Sequence, residues 1–148
     1  MATKAKKGPR PTLVAARAKT AYGLLSHVRR LILDDPRRYN QSVYIHRTRQ
    51  TTIWAPSGAP ACGTVGCVAG WVATLVRGKQ ARDGSADATA SHTLGLKEEQ
   101  AEELFTSYVI SRALQPGTAK YARAGAAHVA KFQKRYQTQL RAKRVGGR

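Results

Sequence analysis

The sequence predicts a mainly α fold, a compact bundle of four or five helices with room for one short β-hairpin. Three observations predict it. Apolar residues recur at steps of three and four through much of the chain. Hydrophobic residues make up 42% of the 148 positions, enough for one core at a length that usually closes as a single domain. Asp35-Pro36, Gly78, Gly95 and Pro116-Gly117 then punctuate the periodic stretches at helix-sized intervals. The expected division is a flexible basic arm at 1–11, a helical domain at 12–143 and a basic tail at 144–148.

Met1 to Arg10 mixes Lys, Gly and Pro with almost nothing to bury, hence the arm. Val14, Ala18, Tyr22, Leu25, Val28 and Ile32 form one stripe, widened by Leu24 and Leu31, which predicts a helix over 12–34. Asp35-Pro36 ends it, because the residue before proline is pushed out of the α region. Between Pro36 and Pro60 the period fails. SVYIHRTRQTTIW is β-branched and aromatic, and fits a hairpin between Val43–His46 and Thr52–Trp54 turning at Thr48-Arg49-Gln50. One helical turn at Ser42–Ile45 fits equally well.

From Val65 to Arg77 the chain is apolar almost all round, a buried helix with Thr64 as its N-cap and Gly78 at C′. A polar linker follows, then helices near Ala88–Thr93 and Lys97–Ser107. Glu98 and Glu99 suit the positive end of the second of these, with Leu104, Phe105, Tyr108 and Val109 facing inward. Thr118 to Lys143 reads as one long helix, with Ala122, Val129, Phe132, Tyr136 and Leu140 on one side. At about 100° per residue, Lys120, Arg123, Lys131, Lys134, Arg135 and Arg141 fall on the other side.

No apolar run approaches the ~20 residues of a bilayer span. The basic N-terminus lacks the apolar stretch of a secretory signal, and two cysteines do not make a disulfide scaffold. No membrane association and a cytoplasmic location are therefore expected.

Charge is the strongest signal. The chain carries 26 Lys and Arg against 8 Asp and Glu, a formal net charge of +18. Residues 1–50 hold 12 basic and 2 acidic residues, 51–100 hold 4 of each, and 101–148 hold 10 basic and 2 acidic. Self-repulsion of this size favours life beside a polyanion, of which nucleic acid is the commonest. From Lys120 to Arg148 there is no Asp or Glu, although a merely solvated face normally carries both signs.

ACGTVGCVAGWVATL at Ala61–Leu75 resembles the C-G-T-x-x-C-x-A-G-W motif of small bacterial and bacteriophage proteins without assigned function. LLSHVRRLILDDPRRYN at Leu24–Asn40 is similar to the helix and D/E-P-x-R-Y/F segment that precedes the motif there, and LGLKEEQAEELF at Leu94–Phe105 to a later segment. The resemblance implies no activity or ligand. It extends the possible settings to a host cytosol or a virion. This chain departs from the pattern in its basic extensions and in Lys97, where a helix-capping Ser or Thr is commoner.

Cys62 and Cys67 are the weak metal candidates. Cys-x4-Cys spacing tolerates zinc, but no histidine pair completes a ligand set, and two small buried cysteines are the favoured reading over metal or a disulfide. A Ser at 67 among apolar neighbours would then cost ~1–3 kcal/mol. Gly63-Thr64-Val65-Gly66 could hold an anion at a helix start, yet Gly66, Gly70 and Ala73 are better explained by close helix approach. Trp71 reads as core; Trp54 reads as core or as a stacking surface.

No acid/base pair or ligand set can be assembled, so an enzyme is not expected, nor any cofactor. The leading expectation is a basic accessory protein binding DNA or RNA through phosphates. Its contacts would be Lys4, Lys6, Lys7, Arg10, Arg29, Arg30, Arg37, Arg38, Arg47, Arg49, Lys120, Arg123, Lys131, Lys134, Arg135, Arg141 and Arg144. The alternative is an interaction module that docks on an acidic host protein or packs within a virion or larger complex.

Overall fold

Helices dominate the computed structural model over the residues it describes, 18–41, 45–47, 64–77, 86–105, 110 and 113–145. In chain order they are α1 (Ala21–Asp34), α2 (Val68–Arg77), α3 (Ala86–Leu94), α4 (Glu98–Phe105), α5 (Ala119–Arg135) and α6 (Gln137–Ala142). A 3-10 turn at Pro36–Arg38 follows α1, and two three-residue strands, β1 (Ile45–Arg47) and β2 (Thr64–Gly66), pair beside it. The fold is therefore the expected helical bundle. Among the described residues no helix is long and apolar enough to cross a membrane. Residues 1–17, with the expected arm, lie outside the described residues, as do Thr48–Gln50, Thr52–Trp54, Cys62, Gly78, Tyr108 and Val109.

Helix α1 starts at Ala21, later than its apolar stripe suggests. Thr20 is extended (φ −132°, ψ 158°) and its hydroxyl accepts the Gly23 N–H at 3.1 Å, an N-cap that satisfies an otherwise orphaned donor. The returning C-terminus holds it there. Ala21 N–H donates to Lys143 C=O, Val145 N–H donates to Lys19 C=O, and Thr20 bridges Arg144 antiparallel. Residues 144 and 145, expected as tail, are thus tied to the body, and Val145 is buried.

After α1 the chain enters a buried polar knot. Tyr39, Asn40 and Gln41 are all nearly inaccessible. The Gln41 Oε1 accepts from the Tyr39 hydroxyl (3.0 Å) and from Val68 N–H (3.3 Å). Its Nε2 donates to Phe105 C=O (2.9 Å), and its own N–H donates to the Tyr121 hydroxyl (3.0 Å). One side chain and its amide thus join the 3-10 segment to α2, α4 and α5, each bond shielded from water. Burial pushes the Tyr39 phenol well above its ordinary range, so it stays a donor. Trp71 is core, as expected; its indole N–H donates to Arg38 C=O, and the Arg38 guanidinium lies 4.5 Å over its ring.

The expected hairpin lies partly outside the described residues, Thr52–Trp54 among them, and the pairing seen is another one. Ile45, His46 and Arg47 pair antiparallel with Gly66, Val65 and Thr64. Thr64 is therefore strand rather than N-cap, the G-T-V-G run does not open a helix, and Gly66 drops out of the small-residue stripe. The helix starts at Val68, and Cys67 occupies the capping position: its C=O accepts from Trp71 N–H (2.9 Å) and its Sγ from Gly70 N–H (3.4 Å). That corrects the expected cost of a serine. A Ser hydroxyl is a preferred N-cap acceptor, so Cys67→Ser should stay near parental stability, whereas Cys67→Val, which keeps the bulk and loses the acceptor, should cost about 1 kcal/mol. Urea midpoints of the two variants check this; Val above Ser would mean that apolar burial outweighs the cap.

Helix α3 ends in a Schellman motif. Gly95, at φ +66°, follows the helix, with Gly95 N–H bonded to His92 C=O and Leu96 N–H to Ser91 C=O. Lys97 lacks a capping side chain, but the reciprocal half of a capping box is present three residues on: Gln100 Oε1 accepts the Lys97 N–H at 3.0 Å. The long C-terminal helix is two helices, not one. Tyr136 leaves helical geometry (φ −111°, ψ 27°); in α6 beyond it Leu140 is buried and the Gln139 amide reaches Gly95 C=O and Gln100.

Candidate nucleic-acid interface

Helices α1 and α5 pack antiparallel, which sets the geometry of the basic surface. Tyr22, near the start of α1, meets Arg141 and Gln133, while Tyr39 beyond its end meets Gly125. Ala122, Val129 and Phe132 of α5 are buried in this seam. The side chains rotated away from it, Lys120, Arg123, Lys131 and Lys134, are all exposed. Among the described residues none of the four has a carboxylate within ion-pair distance. From Lys120 to Lys134 the row runs ~21 Å along the helix, the rise of about six nucleotides on one duplex strand. Arg144, beyond α6 in the bridge to Thr20, is exposed.

Several other expected contacts already have partners within the protein. Arg29 is half-buried in the seam, its Nη1 donating to Gln133 Oε1 (3.2 Å). The Gln133 amide in turn donates to Tyr22 C=O and Ser26 Oγ, both at 2.9 Å. Arg30 is exposed and donates to His27 Nδ1 (2.8 Å). Burial and the Arg30 charge together hold that imidazole below its ordinary range, so it remains a neutral acceptor. Arg37 is ion-paired with Asp35 at 2.9 Å, Arg38 covers Trp71, and Arg141 lies 4.7 Å over the Tyr22 ring. Arg47 lies in β1; Lys4, Lys6, Lys7, Arg10 and Arg49 fall outside the described residues.

The expectation that the last helix has no balancing acid needs correcting at one position. Glu103 of α4 meets α5: its Oε1 accepts from Arg135 Nη1 (3.0 Å) and its Oε2 from the Tyr136 hydroxyl (2.7 Å). Burial would raise this carboxyl, but the Tyr136 and Arg135 hydrogen bonds, with the charges of Arg135 and His128, outweigh it and leave it below the usual carboxylate range. The His128 Nε2 sits 2.9 Å from the Glu103 carbonyl oxygen, and burial lowers that imidazole. Sequence reasoning missed Glu103 and Gln133 because their partners are tertiary; Glu103 and Arg135 stand 32 positions apart.

The seam and the α4 edge therefore divide the α5 surface. Arg135 faces an acid, whereas Lys120, Arg123, Lys131 and Lys134 face solvent. Of the weak metal candidates, Cys67 is buried with its sulfur on a backbone N–H and Cys62 lies outside the described residues. Among the described residues no three His, Cys, Asp or Glu side chains gather as metal ligands. No family model, curated protein or solved structure matches the chain.

Proposed function

We propose that this protein is a non-enzymatic, nucleic-acid-associated accessory protein that binds mainly through phosphate contacts. The observation that carries the proposal is the solvent-facing row Lys120, Arg123, Lys131 and Lys134 on a rigid helix, without acids in ion-pair reach among the described residues. Fixed cations on one helix face can follow a phosphate backbone, and their placement contains no base-reading group, so affinity should exceed sequence preference. Arg144 and the cations of residues 1–11 would add to the same term.

Titration of the protein against duplex DNA, single strands and RNA over a salt series tests it. Log K should fall with log salt at ~−0.9 per duplex phosphate, so about −3.6 from the four α5 cations alone and more steeply with the arm. A flat dependence, or no binding at moderate salt, overturns the phosphate mechanism and favours docking on an acidic protein.

A further inference from the structure

The Glu103 carboxylate presents one oxygen to Arg135 Nη1 at 3.0 Å and the other to the Tyr136 hydroxyl at 2.7 Å. Two anionic oxygens facing a guanidinium and a phenol is also how the non-bridging oxygens of a phosphodiester would sit on that pair. The contact is open: the side chains of Arg135 and Glu103 are 67% and 30% exposed, so an incoming polyanion can reach both. Lys131, one turn before Arg135, is exposed on the same side of α5 and joins the pair to the cation row.

We propose that Arg135 and Tyr136 form a phosphate-binding site, continuous with the Lys120–Lys134 row, that the Glu103 carboxylate occupies in the free protein and a nucleic-acid phosphate displaces. The proposal rests on the phosphate-binding function above and assigns this site its ligand and its internal competitor. An exposed ion pair is weak and screened, so Glu103 would exclude scattered small anions yet yield to a backbone already anchored on the neighbouring lysines.

The test compares the parent, Glu103→Gln and Glu102→Gln, each with and without Arg135→Ala, against one duplex over a salt series. Glu102 is exposed in the same turn, so its replacement removes the same charge without freeing Arg135. Gln at 103 keeps the length and an acceptor for Tyr136. Glu103→Gln should tighten binding about two- to fivefold beyond Glu102→Gln, the scale of one exposed ion pair. Arg135→Ala should erase that gain in the Glu103→Gln background and change little in the parent or the Glu102→Gln background. Equal affinities for the two Gln variants, or an equal loss from Arg135→Ala in all backgrounds, overturns the site while the cation row stands. Absence of binding by the parent and every variant overturns the phosphate-binding function and this site with it.

Discussion

Reversing three cations of α5, as Arg123→Glu, Lys131→Glu and Lys134→Glu, is expected to weaken binding to any nucleic acid about a hundredfold without unfolding the protein. Each phosphate contact releases condensed counterions, and at physiological salt the ~0.9 exponent per phosphate is worth about fivefold in affinity. Three contacts multiply to about a hundredfold, and the slope of log K against log salt should become shallower by about 2.7. Repulsion from the new carboxylates adds to the loss. The fold should hardly respond, because all three side chains are exposed and rotated away from Val129 and Phe132. Arg135 is left out deliberately: a Glu there would stand against Glu103 and confuse repulsion inside the fold with loss of a ligand contact. The measurement is affinity for two unrelated sequences at several salt concentrations, beside a thermal melt. Equal losses on both sequences with an unchanged melt are the expected pattern. Parental affinity would make the row a solvated or protein-facing surface.

Much of this surface was legible in the sequence because a regular helix is a local object. Once Ala122, Val129, Phe132 and Leu140 mark the inward direction, the 100° step places Lys120, Arg123, Lys131 and Lys134 outward without tertiary information, and they are exposed. The buried character of α2 and the stop at Asp35-Pro36 were legible for the same reason. What failed depended on distant chain. The apolar stripe runs on through Ala18, yet Lys19 and Thr20 are held out of the helix by contacts with Val145 and Arg144. Thr64 reads as the N-cap of a helix from Val65, yet Thr64–Gly66 pairs with Ile45–Arg47. The break at Tyr136 interrupts a pattern that continues on both sides of it, with Tyr136 bonded to Glu103 and Gln139 to Gly95. The Glu103 contact is hidden likewise, since the sequence of α4 shows an acidic N-terminus and a buried edge, with no local sign of what its fourth carboxylate meets. Leu24–Asn40, Ala61–Leu75 and Leu94–Phe105, distinctive as sequence, converge at one place: the polar knot of Gln41, which touches Val68 and Phe105 while Trp71 binds Arg38.

Gly125→Ala should destabilise the protein by about 2 kcal/mol or more, although helix propensity alone predicts the opposite sign. Gly125 lies inside α5, where replacing Gly by Ala in an open helix gains about 1 kcal/mol. The site is not open. A Cβ built there would lie 2.5 Å from Tyr39 Cζ and closer still to Cε1 and Oη, far inside the 3.4 Å of ordinary contact. The ring cannot retreat cheaply, being 1% exposed, packed 5.4 Å from the Tyr121 ring and bonded through its hydroxyl to Gln41. Moving it would strain the bonds from Gln41 to Val68 and Phe105 as well. Overpacking against so fixed a neighbour belongs at or above the ~3 kcal/mol end of the usual range, which outweighs the propensity gain. The net loss corresponds to a melting temperature lower by roughly 6 °C or more. The decisive comparison is the same substitution in a Tyr39→Ala background. There the obstructing ring is gone, and Gly125→Ala should become neutral or stabilising, by up to about 1 kcal/mol. A Gly125→Ala protein that melts at or above the parent temperature would mean that α5 and the Tyr39 segment are not packed as closely as this geometry has them. An equal loss in both backgrounds would place the obstruction somewhere other than Tyr39.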